Sequence, residues 1–515
     1  VAHSFPTRRS SDLSYHLQLP KEWLARGGML PTPHNVYGYM PNFVEAAYTH
    51  LAVWRGGAVE AALSAQMLHA TFTILAAAAI GAIVHLLVAR CDAGDMQSPP
   101  PAKSGADHGA PASVIVVLAA ATYLAVPWTI VTGSLAYTEQ VMIAFGAVAW
   151  LLGFEAWVDR GGPWGLRCLA IGLLCGAAAM AKLTAVGLLV LPAGLITLLA
   201  VWRAGPRRVA ASIGLLSAGF LAVTLPWLIR NALWTGNPVF PMAGDLLGLG
   251  HWTAEQAARW NAAHVSDDSL VHRFTAFWRQ ALAHHQFGYV LIPLGIIGGV
   301  FALARPRLRR PAAALLIALA VQFVFWLAFT HLQSRFLLPI LLPVVVLAAL
   351  GGVLIGRPRA GRVALGAVAI VLTVLSFVLF AAQRGGQAVV YLDAVDVLRE
   401  HTEPWKTLNE LPPGNHIYAE GFATPLYVET PIDYHTTWDR SPLGGPLASD
   451  GPAHAARWLR ERGYTHVLID RNMLGVWWRP GNYGYDPRVT PDALHALGEA
   501  HLRPVARWGG QVLYR

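Results

Sequence analysis

The sequence predicts a mainly α-helical fold: a polytopic transmembrane helical bundle carrying a soluble α/β domain at its C-terminal end. Three observations point there. Of 515 residues, 55% are hydrophobic and only 13% are charged, and the mean hydropathy is +0.44, the balance of a membrane protein rather than a soluble enzyme. About ten apolar runs each approach the roughly 20 residues that a helix needs to cross the hydrocarbon core. Beyond about residue 384 the long apolar runs stop, charge rises and short alternating stretches begin.

Taken in order, the first residues, VAHSFPTRRSSDL, lack the apolar core of a signal peptide. The string SFPTRRSSDL has the look of translated sequencing-adapter read-through. Residues 1–13 are therefore expected to be artefactual, with the natural N-terminus and one membrane helix lost. Residues 14–60 form the first loop, and residues 14–54 of it are too polar for lipid and too aromatic for a free tail. This stretch reads as a structured loop on the membrane surface that forms one wall of a polar site.

Candidate spans follow at 65–89, 113–130, 138–158, 164–181, 183–202, 209–228, 287–304, 311–330, 336–355 and 362–383, which gives a transmembrane domain over 14–383. The fourth and fifth nearly touch, as in a tight hairpin or a re-entrant pair. Pro127, Pro192, Pro226, Pro293, Pro339 and Pro343 fall inside spans; neighbouring helices can satisfy the backbone groups they free.

Orientation follows from arginine. Arg203, Arg207 and Arg208 share one short loop, Arg305, Arg307, Arg309 and Arg310 a second, and Arg357, Arg359 and Arg362 a third. Alternation through the spans puts all three on one side, which the positive-inside rule makes cytoplasmic. The formal charge of +9 is thereby explained without a nucleic-acid partner. The Pro/Ala/Gly-rich linker 91–112 falls on the same side. The periplasmic side then receives the first loop, the long loop 230–286 and the tail 384–515. Within 230–286, WTAEQAARWNAAHV has helical spacing and reads as an amphipathic helix on the membrane interface. In the tail, HIYAEGF and THVLIDR read as strands, AHAARWLRERG as a helix ending on Gly463, and LRPVARWGGQVLYR as a hairpin turning at Gly509-Gly510. Cys91, Cys168 and Cys175 make no disulfide framework.

Polar residues at the outer ends of the spans supply the candidate site. Glu45 follows MPNFV, Glu139 opens the third span, Lys182 stands between the fourth and fifth, Arg230 closes the sixth, and His331 and Arg335 precede the ninth. An ionisable side chain at membrane depth needs a partner or a use. Carboxylates beside cations suit a site that removes a proton and holds a phosphate. Tyr15, His16, Tyr37 and Asn42 of the first loop are candidates for binding donor or acceptor. Plainer readings stand beside these: Glu139 as an ion-pair partner of Lys182 or Arg230, Arg335 as a snorkelling side chain, Arg230 as an interface anchor. His284 and His285 are not read as a metal pair, because adjacent helical residues face apart.

YHLQLPKEWLARGGMLPTPHNVYGYMPNFVEAAYTHLA, AKLTAV, LPWLIRNALWTGNPVFP and SRFLLPILLP, taken as an ordered set, resemble the GT-C superfamily of membrane glycosyltransferases. The nearest group is the family 39-like enzymes, which include aminoarabinose transferases and protein O-mannosyltransferases. The resemblance covers nearly the whole chain from Ser14. It implies a GT-C-like fold, a polyprenyl-phosphate-linked sugar as donor, and a glycan, lipid or protein acceptor on the periplasmic face of the bacterial inner membrane. It also implies inversion at the anomeric carbon. The family pattern places an acid about four residues before the Tyr of the YH pair. That position is Ser11, with Asp12 one residue off, so either Asp12 serves in a shifted register or the acid was lost with the natural N-terminus; loss is the expectation. On this reading a first-loop carboxylate, assisted by Glu45 or Glu139, takes the acceptor proton. Lys182, Arg230 and Arg335 hold the donor phosphate, an arginine as a fork and a lysine as a point charge. No cofactor is required, although a divalent metal could share the task. A transporter or flippase is the rival reading, and a non-catalytic assembly subunit a third.

Overall fold

In the computed structural model, residues 15–92, 112–158, 162–264, 269–354, 358–382, 402–479 and 483–515 are described. Among the described residues, six helices are long and apolar enough to cross a membrane: Ala62–Ala89, Glu139–Trp157, Trp164–Ala181, Pro206–Thr235, Arg309–Phe329 and Ser334–Val353. A bent pair, Ser113–Ala125 and Pro127–Gly133, and three shorter apolar helices, Val186–Val201, Leu291–Leu303 and Gly366–Leu375, account for the other expected spans. The polytopic helical bundle is therefore present.

Where the expected spans are not straight, proline is the cause. Val126, the residue before Pro127, is extended (φ −62°, ψ 126°), because the proline ring disfavours α geometry in its predecessor. The two halves consequently meet at 68°. The run expected at 183–202 begins as a π turn, Val186–Val190, before the α-helix Leu191–Val201, with Pro192 in its first turn. The run at 336–355 begins as a 3-10 stretch, Ser334–Ile340, that contains Pro339 and precedes Leu341–Leu354.

The contacts divide the chain into two units. One comprises Gln66–Pro226 and Ser266–Ala388. Here glycines let helices approach until backbones touch: a Cβ on Gly298 would lie 2.1 Å from the Leu347 carbonyl, and one on Gly172 2.3 Å from that of Leu216. In lipid, where apolar side chains gain little by leaving their surroundings, such close packing drives association.

The other unit comprises Val1–Ala65, Trp227–Val265 and Val389–Arg515. Its tail portion holds a five-stranded sheet in the order β2-β1-β3-β5-β4, with β1 Ile417–Glu420, β2 Ile432–Asp433, β3 His466–Asp470, β4 Pro504–Trp508 and β5 Gln511–Tyr514. β1 is parallel to β2 and β3, and the β4–β5 hairpin adds antiparallel to β3. Helix Gly444–Glu461 makes the crossover from β2 to β3 and ends before Gly463 at φ +77°, a left-handed stop that glycine accepts without strain. The expected strands, helix and hairpin are all observed.

The expected interface helix departs from its reading. It exists, as Ala254–His264, but its apolar face meets protein. Trp252, Ala257 and Trp260 are buried with Val36 and Tyr39 of the first loop, Phe240, and Trp438 of the tail. An aromatic face at helical spacing suits a headgroup layer and a tryptophan cluster equally, and here Trp438 fills that role.

Candidate active site

Glu139 is the first residue of its helix, where the exposed N–H groups favour a carboxylate. The side chain is buried, and its Oε1 receives Lys182 Nζ at 2.7 Å and Arg335 Nε at 3.1 Å. Its Oε2 accepts from the Thr138 backbone N–H at 3.3 Å. Each cation also lies on an aromatic ring: Lys182 over Phe336 at 4.5 Å, and Arg335 over Tyr137 at 5.0 Å. The cations keep 19% and 18% of their side-chain surface exposed, whereas Glu139 keeps 2%. Two cations thus share one buried carboxylate, and the part of the cluster that stays accessible is cationic. His331 packs edge-on against Phe336, 4.5 Å between ring centres.

The start of the Glu139 helix is fixed from below. The Gln140 backbone N–H donates to Nε2 of buried His69 at 3.2 Å. The Gln140 side chain accepts from Tyr123 at 2.6 Å and donates to Thr132 at 2.8 Å. Such a satisfied polar network inside an apolar bundle specifies one arrangement.

In the other unit, His16 Nδ1 lies 2.6 Å from Glu45 Oε1, with side-chain exposures of 5% and 3%. Glu45 Oε2 is buried without a hydrogen-bond partner. Tyr15 stacks on Tyr37 at 4.2 Å. Arg230 donates to Asn42 Oδ1 at 3.1 Å and to the Met40 carbonyl at 2.8 Å; Asn231 and Trp227 both donate to the Tyr39 carbonyl. The end of helix Pro206–Thr235 thus grips the turn Val36–Tyr39, so Arg230 has a structural task beside its candidate one.

The same loop is bound to the tail. Lys21 Nζ donates to the carbonyls of Leu426 and Val428 at 3.0 and 2.5 Å. Glu22 accepts from Tyr434 at 2.5 Å and pairs with His34 at 3.0 Å. Burial opposes charge on both members, but their mutual attraction exceeds it: the Glu22 carboxyl lies below its ordinary value and the His34 imidazole above.

Of the sequence-derived residues, Glu139, Lys182 and Arg335 are brought together in one unit, and Tyr15, His16, Tyr37, Asn42, Glu45 and Arg230 lie in the other. Asp12 and Ser11 lie outside the described residues. His284 and His285 stand at the edge of a short 3-10 turn rather than on an α-helix, and their rings stack at 4.7 Å. Among the described residues no group of three or more His, Cys, Asp or Glu side chains could hold a metal ion. Sequence reasoning missed the ring partners Tyr137 and Phe336, the network around Gln140, and Gln322. An amide inside an otherwise apolar span was the signal for the last.

The helical bundle with its α/β tail has a GT-C-like fold. The chain is similar to the crystal structure of ArnT from Cupriavidus metallidurans in the apo state, with 13% identity and TM-score 0.59, over 98% of this chain and 92% of that one. It is likewise similar to the same protein bound to undecaprenyl phosphate, with 12% identity and TM-score 0.57, over 98% and 93%. A family model described as Domain of unknown function (DUF8201) matches residues 141–342, which include Lys182 and Arg335. No curated protein matches in sequence.

Proposed function

We propose that this protein is an integral membrane glycosyltransferase of the bacterial inner membrane that takes a sugar from a polyprenyl-phosphate-linked donor and delivers it, with inversion, to a glycan, lipid or protein acceptor on the periplasmic side. The observation that carries the proposal is the pair of part-exposed cations on one buried carboxylate. When the glycosidic bond to phosphate breaks, negative charge grows on the leaving phosphate, and preorganised cations in a water-poor site oppose that charge most effectively. Arg335 offers a fork for two phosphate oxygens and Lys182 a point charge.

Glu139 acts here by positioning. Both its oxygens are already engaged, one by two cations and the other by a backbone N–H, which leaves it ill suited to take a proton. Donor likeness supports the reading in one respect: the solved ArnT structure includes a complex with undecaprenyl phosphate.

The test is transfer in lipid nanodiscs from an undecaprenyl-phosphate-linked sugar. Labelled sugar should pass to a membrane or glycan acceptor, and the activity should fall by about 10²–10³ in Arg335→Ala. Movement of donor across the bilayer without transfer would overturn the reading in favour of a flippase.

A further inference from the structure

Lys182 precedes a stretch where the α-helix fails, and Arg335 stands within another. Leu188, in the π turn after Lys182, stands four residues before Pro192; Pro339, in the 3-10 stretch that holds Arg335, stands four residues before Pro343. An α-helical carbonyl takes its hydrogen bond from the N–H four residues on, and proline has none. The Leu188 carbonyl is therefore deprived of its α-helical donor, and the Pro339 carbonyl is left with the Leu341 N–H, two residues on, inside an apolar bundle where backbone groups need internal partners.

One side chain answers both. Gln322, wholly buried in helix Arg309–Phe329, donates through Nε2 to the Leu188 carbonyl at 2.6 Å and to the Pro339 carbonyl at 3.2 Å. The rest of that helix face assists. Trp326, four residues on, donates to the Gln333 carbonyl at 3.0 Å. Phe325, three residues on, lies so close to Gly187 that a Cβ there would fall 2.0 Å from its ring. Residues at i, i+3 and i+4 share one helical face, and this face docks on both irregular segments. Meanwhile Gln322 Oε1 is buried without a donor among the described residues, a desolvation penalty that an apolar residue would avoid. The amide sits there against its own desolvation.

We propose that Gln322 is a positioning residue: its bridge between the Leu188 and Pro339 carbonyls sets the spacing of the two segments that present Lys182 and Arg335 to Glu139. The consequence for phosphate rests on the function proposed above; the clamp itself does not. A rigid bridge matters because two cations held at fixed separation meet a phosphate without having to be ordered first.

The experiment uses the full chain in nanodiscs, wild type against Gln322→Leu, Gln322→Glu and, as a variant that leaves the amide in place, Gly187→Ala. The first readout needs no ligand: acetylation of Lys182 by an amine-specific reagent, followed by peptide mass spectrometry. Release of the clamp should loosen the Lys182–Glu139 pair and speed acetylation several-fold in all three variants. The second is binding of undecaprenyl phosphate, which should weaken about tenfold in Gln322→Leu. In an Arg335→Ala background the same change should add less than twofold, because Gln322 then has less to position. A purely structural amide would lower the melting temperature alone. Unchanged Lys182 acetylation and unchanged affinity in folded Gln322→Leu would overturn the proposal. Failure of the wild type to bind undecaprenyl phosphate would instead remove the phosphate reading, with acetylation still deciding the clamp.

Discussion

Two buried carboxylates show what separates a site from a strut. Glu139 meets two cations that keep part of their surface exposed. Glu420, at the end of β1, is fully enclosed: Tyr418 donates at 2.8 Å and Ser441 at 3.0 Å to one oxygen, Tyr485 donates to the other, and His435 stands 3.5 Å away. Burial alone would raise the Glu420 carboxyl, yet His435 and the hydroxyls more than offset it and its pKa lies below the ordinary value. The Tyr418 and Tyr485 hydroxyls are pushed up, by burial and by the charge they face. Everything in this second cluster points inward, and His435 Nδ1 is left buried without a hydrogen-bond partner among the described residues. The first cluster instead keeps part of two cations exposed, the feature on which the proposed phosphate site rests.

The sharpest way to break the comparison is to remove charge from each. Arg335→Ala should cut transfer by about 10²–10³, the effect of losing one preorganised donor to a transition state, with little change in melting temperature. Glu420→Leu should leave transfer per folded molecule unchanged but strip three hydroxyls of their acceptor, at about 1–3 kcal/mol for each group left unsatisfied. Thermal unfolding followed beside activity separates the two. If Glu420→Leu instead silenced folded protein, the tail cluster would be more than a strut.

Glu139→Gln sharpens the contrast from inside the site. A positioning carboxylate replaced by a neutral isostere should cost about tenfold in transfer, equivalent to about 1.4 kcal/mol, because the rings of Phe336 and Tyr137 still seat the cations. A proton acceptor replaced in the same way would lose about 10²–10⁴. The size of the loss thus reports which role Glu139 has.

Much of this was legible in the sequence, and the remainder was hidden for physical reasons. Six of the ten expected spans appear as helices long and apolar enough to cross a membrane, and the rest as a bent pair or shorter apolar helices, because hydropathy over about 20 residues is dictated by the bilayer while straightness is not. The tail strands and the Gly509-Gly510 hairpin were legible because alternation and turn chemistry are local. Pro192 and Pro339 marked where α geometry fails, yet what heals the break is Gln322, far away in sequence. The joining of Glu139 to Arg335 is equally non-local, and no spacing rule reaches it. The Trp260 helix was misplaced because its pattern records an apolar face without recording what covers it. Trp438 does so, and only folding brings it there.

The smallest effect expected lies at the Glu22–His34 pair, which sharpens the comparison from a third side: a pair that is part-exposed rather than fully enclosed. His34 has a raised pKa, so its contribution is complete below the ordinary value of 6.5 and is lost as pH rises through the raised value. Glu22 has a lowered pKa, so its contribution is complete above 4.5 and is lost as pH falls through the lowered value. The pair therefore supports the join of first loop to tail most strongly between those limits. His34 keeps 35% of its side chain exposed, and solvent screening at such sites holds the gain below about 1 kcal/mol. His34→Gln should lower the melting midpoint slightly at mildly acid pH and not at all at alkaline pH, where the wild-type imidazole is neutral. Because Tyr434 and Asn35 still hold the loop through their own hydrogen bond, the loop should stay docked in both proteins. A midpoint difference that grew with rising pH would reverse the assignment and leave the His34–Glu22 contact as a neutral hydrogen bond.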